Sequence, residues 1–175
     1  MRMRVAVAVL GLPVLLAACA STATSHSLGP VPTTAPSRCI SHNGLPDPIC
    51  TPGATDPRVT QANIHSTICV SGYTRKVRPP TSYTNPVKTT EMRAYGDTGP
   101  KSSYELDHLI PLELGGAPRS TSNLWPEPLA GGTGANSKDH VENELHRRVC
   151  SGAVALGVAQ QKIASNWRTA LNAGP

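Results

Sequence analysis

Phenylalanine is absent from this 175-residue chain, and two Trp and four Tyr are its whole aromatic supply. A core with so few large rings is thin, so the fold needs covalent staples beside aliphatic burial. No run of ~20 apolar residues occurs, which excludes an ordinary membrane-spanning helix. The longest such stretch, residues 5–16, is broken by Gly11 and Pro13. There is no C-x-x-C pair, the spacing common in structural zinc sites. Acidic residues are the minority charge, 11 against 16 basic ones. Without residues 1–18, which hold Arg2 and Arg4, 14 cations face the same 11 acids. That balance permits a polyanionic partner without demanding one.

Arg2 and Arg4 followed by the short apolar run form an export signal over residues 1–18. Leu16-Ala17-Ala18-Cys19 resembles the lipobox of bacterial lipoproteins. The resemblance implies cleavage before Cys19, a lipid on its thiol, and anchoring to the cell envelope facing periplasm or exterior. An ordinary secretory cleavage after Ala18 or Ala20 is the alternative. Residues 19–38 are mostly Ser, Thr, Pro, Ala and Gly, too poor in large apolar side chains to offset the entropy of ordering. They read as a disordered tether.

Setting Cys19 aside leaves Cys39, Cys50, Cys69 and Cys150, an even number in an exported chain. That favours two disulfides, with three possible pairings. Cys39 and Cys50 bracket a Pro/Gly-rich stretch and could close a local loop. Cys69 and Cys150 would then tie the start of the domain to its main helix. A structural zinc is the rival reading, and the missing C-x-x-C spacing speaks against it. The roughly 135 residues from Cys39 onward suit one small domain.

Residues 39–103 form the Cys-containing, basic first part of that domain. Residues 39–56 are punctuated by Pro46, Pro48, Pro52 and Gly53 and read as loop. Asp56 or Thr60 could cap a short helix over 61–68 that turns Ile64 and Ile68 inward together, with His65 on the solvent side. Arg75, Lys76 and Arg78 follow Tyr73, and residues 69–101 hold six cations against Glu91 and Asp97. Such a stretch can follow a phosphate backbone; a solvated basic face is the plainer reading. A helix is expected over 85–95, capped by Thr84 or Asn85, with Pro86 in its first turn and Gly96 at its end.

The rest of the chain is organised around residues 104–128. A strand is expected over 104–110, stopped by Pro111; Gly115-Gly116 marks a turn. A second short run, Asn123-Leu124-Trp125, is closed by Pro126 and Pro128. A helix begins near Asn136, with Val141, Leu145 and Val149 on one face and a Glu144–Arg148 pair. His146 is read as a surface residue. A last helix over 153–171 aligns Leu156, Ala159, Ile163, Trp167 and Ala170, with Trp167 as a core anchor.

Asp107-His108, Pro111, Gly115-Gly116, Asn123-Leu124 and Asn136 at the helix start together resemble the HNH endonucleases, or ββα-metal nucleases. The resemblance spans residues 104–150, about a quarter of the chain. It implies an α+β domain: a small ββα-metal unit and a C-terminal helix within residues 104–175, with helices before it, stapled by disulfides after the tether. It also implies metal-dependent hydrolysis of phosphodiester bonds. His108 would be the general base and Asn123 the residue that holds the loop between the strands. Asp107 and Asn136 would hold a divalent ion, Mg or Mn ahead of Zn, with Asp139 and His140 as fallback ligands and Glu105 in reserve. Lys138, Arg75, Lys76 and Arg78 would contact substrate. The expected partner is nucleic acid, DNA ahead of RNA, with the membrane reached through the lipid. A non-catalytic envelope lipoprotein that binds nucleic acid or another surface ligand is the competing expectation. One difficulty is visible at once: neighbours in a regular strand point to opposite faces, so Asp107 and His108 share a site only where the pleat breaks.

Overall fold

The structure, a computed structural model, describes residues 38–129 and 135–172, with only the backbone of 135 and 136. The chain divides into two units, Met1–Thr33 and Thr34–Pro175, and every described residue belongs to the second. The export signal, Cys19 and the tether up to residue 37 lie outside the described residues.

The domain is a mixed α+β fold with a two-stranded antiparallel sheet. Its elements are α1 (Tyr73–Val77), α2 (Thr81–Tyr95), β1 (Tyr104–His108), β2 (Leu124–Pro128), α3 (Ala135–Cys150) and α4 (Leu156–Asn166), with short 3₁₀ turns between them. The strands pair Tyr104 with Pro128 and His108 with Leu124 at the two ends. Pro126 and Pro128 therefore lie within β2 and do not close it. They are two residues apart and fall on the same class of position. Leu109 N donates to Asn123 O just beyond the strand ends, which places the ladder bonds on the other class. Their missing N–H groups cost no pairing.

The main core gathers Val59, Ile64, Ile68, Ile110 and Leu114 with Val141, Leu145 and Val149 of α3 and Leu156, Ala159 and Ile163 of α4. Ile64 enters it from a 3₁₀ turn over Gln61–Ser66, and Ile68 from the turn that follows. Trp167 closes it, and its Nε1–H donates to Gly44 O at 3.0 Å. A second cluster joins Cys39, Tyr95, Leu109 and Trp125. Both Trp are thus fully used, one in each cluster.

The disulfides are Cys39–Cys50 and Cys69–Cys150. The first closes a loop organised by Asp47, whose carboxylate accepts from the backbone N–H groups of Ile40, Ile49 and Cys50. The Ile40 bond leads in holding that carboxyl below its ordinary range. The second ties the segment after the first turn to the last residue of α3. Two disulfides suit a non-reducing, extracytoplasmic setting. Among the described residues no helix is long and apolar enough to cross a membrane.

Three helices and one strand differ from the expected bounds: the first helix is the 3₁₀ turn Gln61–Ser66, and β1 stops at His108, before Leu109 and Ile110. The second begins at Thr81, with Pro80 as N-cap, so Pro86 lies inside it and not in its first turn. Tertiary contact overrides the local signal: the Tyr83 hydroxyl, one turn before Pro86, donates to Arg119 O at 2.6 Å and fixes that end. The last helix runs only from Leu156 to Asn166 and tightens to a 3₁₀ turn, Trp167–Thr169, where the Asn166 side chain accepts from Arg168 N.

Candidate active site

The site grows from the connection between β1 and β2. Gly116 N donates to Pro111 O at 3.0 Å, and an added Cβ at Gly116 would stand 1.8 Å from Ile110 O. Only glycine fits so close to a carbonyl. Gly115 adopts φ +72°, the left-handed conformation glycine takes without cost. Asn123, 0% exposed, closes the connection. Its Oδ1 accepts from Ile110 N at 2.9 Å, and its Nδ2 donates to Ile110 O at 2.9 Å and Ala117 O at 3.3 Å. An amide matches a peptide unit donor for acceptor, which no carboxylate or hydroxyl does.

That clamp brings Pro118 beside His108. His108 Nε2 lies 3.0 Å from Pro118 O. A carbonyl only accepts, so Nε2 carries the hydrogen and Nδ1 the lone pair. The ring is 5% exposed. Burial leads in lowering its pKa from the ordinary histidine value; the Pro118 bond and the Asp107 charge oppose the shift, and Arg78 and Lys138 add to it. His108 is therefore a neutral imidazole at pH 7 in one tautomer, the form a general base requires.

Asp107 belongs to the other face. The strand stays in regular register through Asp107–Trp125 and His108–Leu124. The pleat does not break there, and the two side chains leave in opposite directions. Asp107 Oδ2 accepts from Trp125 Nε1 at 3.1 Å and lies 2.8 Å from Lys138 Nζ. The Lys138 ammonium also donates to His108 O at 2.9 Å and pairs with Glu142 one turn along α3. Lys138 is 1% exposed and its ammonium is fully engaged, so the expected phosphate contact from Lys138 is corrected. Its side chain locks α3 to β1 and does not meet solvent.

The same strand face carries an unforeseen group. Glu127 is 0% exposed, and neither carboxyl oxygen has a hydrogen-bond partner. Burial, then the nearby Asp107 charge, pushes it up to about 9. Burial likewise pushes Glu142 up to about 7, against the pull of Lys138. For Lys138, burial alone would lower the pKa; the Asp107, Glu142 and Glu127 carboxyls prevail and raise it. One ammonium thus pairs with two acids, Asp107 and Glu142, and Glu127, without a partner, holds its proton at pH 7. Glu142, four residues after Lys138, was legible as a helical pair. Glu127 sits directly opposite Glu105 in the register, which needs the strand pairing to be known.

No protein-family model matches the chain, and none of the curated proteins or solved structures compared with it matches. The site is therefore read from its own chemistry.

A divalent ion at Asp107 does not fit this arrangement. The cation against its carboxylate is Lys138, and no two further carboxylate or imidazole atoms converge there among the described residues. Asp139, His140 and Glu105 are exposed. The Asn136 side chain lies outside the described residues. A different group could hold a metal: single donor atoms of Cys69, His146 and Cys150 all lie within 4.8 Å of one another. In this structure the two sulfurs are bonded to each other. His146 is half-buried, not a surface residue, and its Nε2 lies 3.0 Å from Ile68 O.

The other expected substrate contacts, Arg75, Lys76 and Arg78, are exposed. Arg78 stands closest electrostatically, since its charge acts on His108, Glu105 and Glu113. Lys76 lines a cleft that reaches Pro118. Arg75 is on α1 near Gly72.

Proposed function

We propose that this chain is an exported HNH-type endonuclease, anchored through a lipid on Cys19, that hydrolyses phosphodiester bonds with His108 as general base. The supporting observation is the buried, neutral imidazole whose Nε2–H is engaged by Pro118, on a strand–loop–strand–helix unit clamped by Asn123. In this reading Nδ1 takes a proton from water as its oxygen bonds to phosphorus, and the bond from phosphorus to the leaving oxygen breaks. The imidazolium that forms is stabilised by its bond to the Pro118 carbonyl. Arg78, whose charge acts on His108, offers positive charge to the phosphate oxygens. The resemblance implies a divalent ion that would stabilise charge on those oxygens; the Asp107 surroundings, with Lys138 against the carboxylate, do not fit one.

One observation favours the second reading, a non-catalytic envelope protein that binds nucleic acid. Asp107 and His108 do not converge on one site, because the strand is regular there. Nicking of supercoiled plasmid by residues 20–175, with and without chelator, separates the two. Under the nuclease reading His108→Ala loses about 10²–10⁴-fold in rate. A His108→Ala protein as active as the wild type would refute the mechanism, and binding without cleavage would establish the second reading.

A further inference from the structure

The cations near the site are not spread evenly. Arg58, Lys76 and Arg119 line one cleft of about 310 Å³, together with Val77 and Pro118. Three separate segments supply them: the turn before Gln61–Ser66, α1, and the connection between β1 and β2. Pro118 is also the residue whose carbonyl engages His108 Nε2. One residue thus forms both the wall of the cleft and the anchor of the imidazole.

The three cations differ in how they are held. Arg58 is neutralised by Asp56, which lies 2.7 Å from Arg58 Nη2. Lys76 and Arg119 have no carboxylate within ion-pair distance among the described residues. Arg119 is pre-positioned: its guanidinium carbon lies 4.9 Å from the centroid of the Tyr83 ring, and the Tyr83 hydroxyl donates to Arg119 O. No hydrogen bond engages the Arg119 guanidinium among the described residues, so its N–H groups remain for a contact with an anion. The cleft therefore holds two uncompensated cations, one already ordered, in a recess at the small end of ligand-site sizes.

We propose that this cleft is a phosphate subsite, where Arg119 and Lys76 take a backbone phosphate of a nucleic-acid strand adjoining the one presented to His108. The substrate class rests on the nuclease reading; the anion chemistry of the cleft does not. Arg58 shapes the rim, and its pair with Asp56 fixes its place.

The test is binding of a short fluorescein-labelled single-stranded DNA to the residue 20–175 protein, followed by anisotropy across a salt series with chelator present. The variants are Arg119→Gln and Lys76→Gln, both at exposed positions, with Lys101→Gln as a control outside the cleft and circular dichroism to confirm folding. The two substitutions together should lower the slope of log affinity against log salt by about 0.7, the value for one phosphate contact on a single strand, and each alone by part of that. The control should keep the wild-type slope. Wild-type slopes in both cleft variants, or no binding by the wild type, would overturn the subsite. Plasmid nicking by the same proteins separates the two readings. If the wild type nicks but the cleft variants bind unchanged, the subsite falls and the nuclease stands. If the cleft variants lose slope but the wild type never nicks, the subsite stands as a binding cleft and the nuclease falls.

Discussion

Glu127→Gln should make this protein more stable as pH rises relative to the wild type. In the folded state the Glu127 carboxyl is 0% exposed with both oxygens unpartnered, and burial pushes it up to about 9 from 4.5. Between those values the folded chain binds a proton that the unfolded chain releases. Stability from this group is complete below pH 4.5 and falls as pH rises toward 9, by about 1.4 kcal/mol per pH unit. From pH 5 to pH 8 the wild type thus loses about 4 kcal/mol through Glu127, and at pH 7 the loss already stands near ~3 kcal/mol. Gln has nearly the same volume and does not titrate, so the variant lacks the slope. Any cost of burying its unpaired amide is the same at every pH and drops out of the comparison. Urea unfolding followed by far-UV circular dichroism at pH 5, 6, 7 and 8, with disulfides intact and chelator present, measures the difference directly. Parallel stability profiles for wild type and Glu127→Gln would refute the assignment of a protonated Glu127.

Three further outcomes follow from the same geometry. Reducing Cys69–Cys150, which closes a loop with a sequence separation of 81, should lower stability by about 4 kcal/mol in the chain-entropy picture, read as a drop in melting temperature with reduction confirmed by mass; an unchanged melting curve would contradict it. Asn123→Ala should cost about 2–4 kcal/mol, because it strands the Ile110 N–H and C=O in a buried place, and calorimetry showing under ~0.5 kcal/mol would remove the clamp from the account. Gly116→Ala should fail to reach the native fold or lose more than ~3 kcal/mol, since its Cβ would meet Ile110 O at 1.8 Å; a soluble variant with wild-type stability would show that the loop moves freely.

Much of this protein was settled by local chemistry that a sequence carries on its face. Apolar residues four apart on α3 and α4 became the core because helical geometry alone aligns Val141, Leu145 and Val149, or Ala159 and Ile163. Gly115-Gly116 and Asn123 marked the connection because few residue types tolerate a left-handed turn or mimic a peptide unit. The four cysteines after Cys19 pointed to two disulfides, but which cysteines pair depends on which chain segments the core brings within reach. Other features depended on distance in the fold. The start of α2 was fixed by Tyr83 reaching Arg119, 36 residues away, not by the proline within it. Lys138 was expected to face substrate, yet it sits between Asp107 and Glu142, because its side chain reaches from α3 to β1. Glu127 became a buried, protonated acid only when pairing set it beside Glu105 and near Asp107. Pairwise charge and burial fall off over a few ångströms in space and not along the chain. Local periodicity therefore determined which residues are inside, and tertiary structure alone decided which charges meet there.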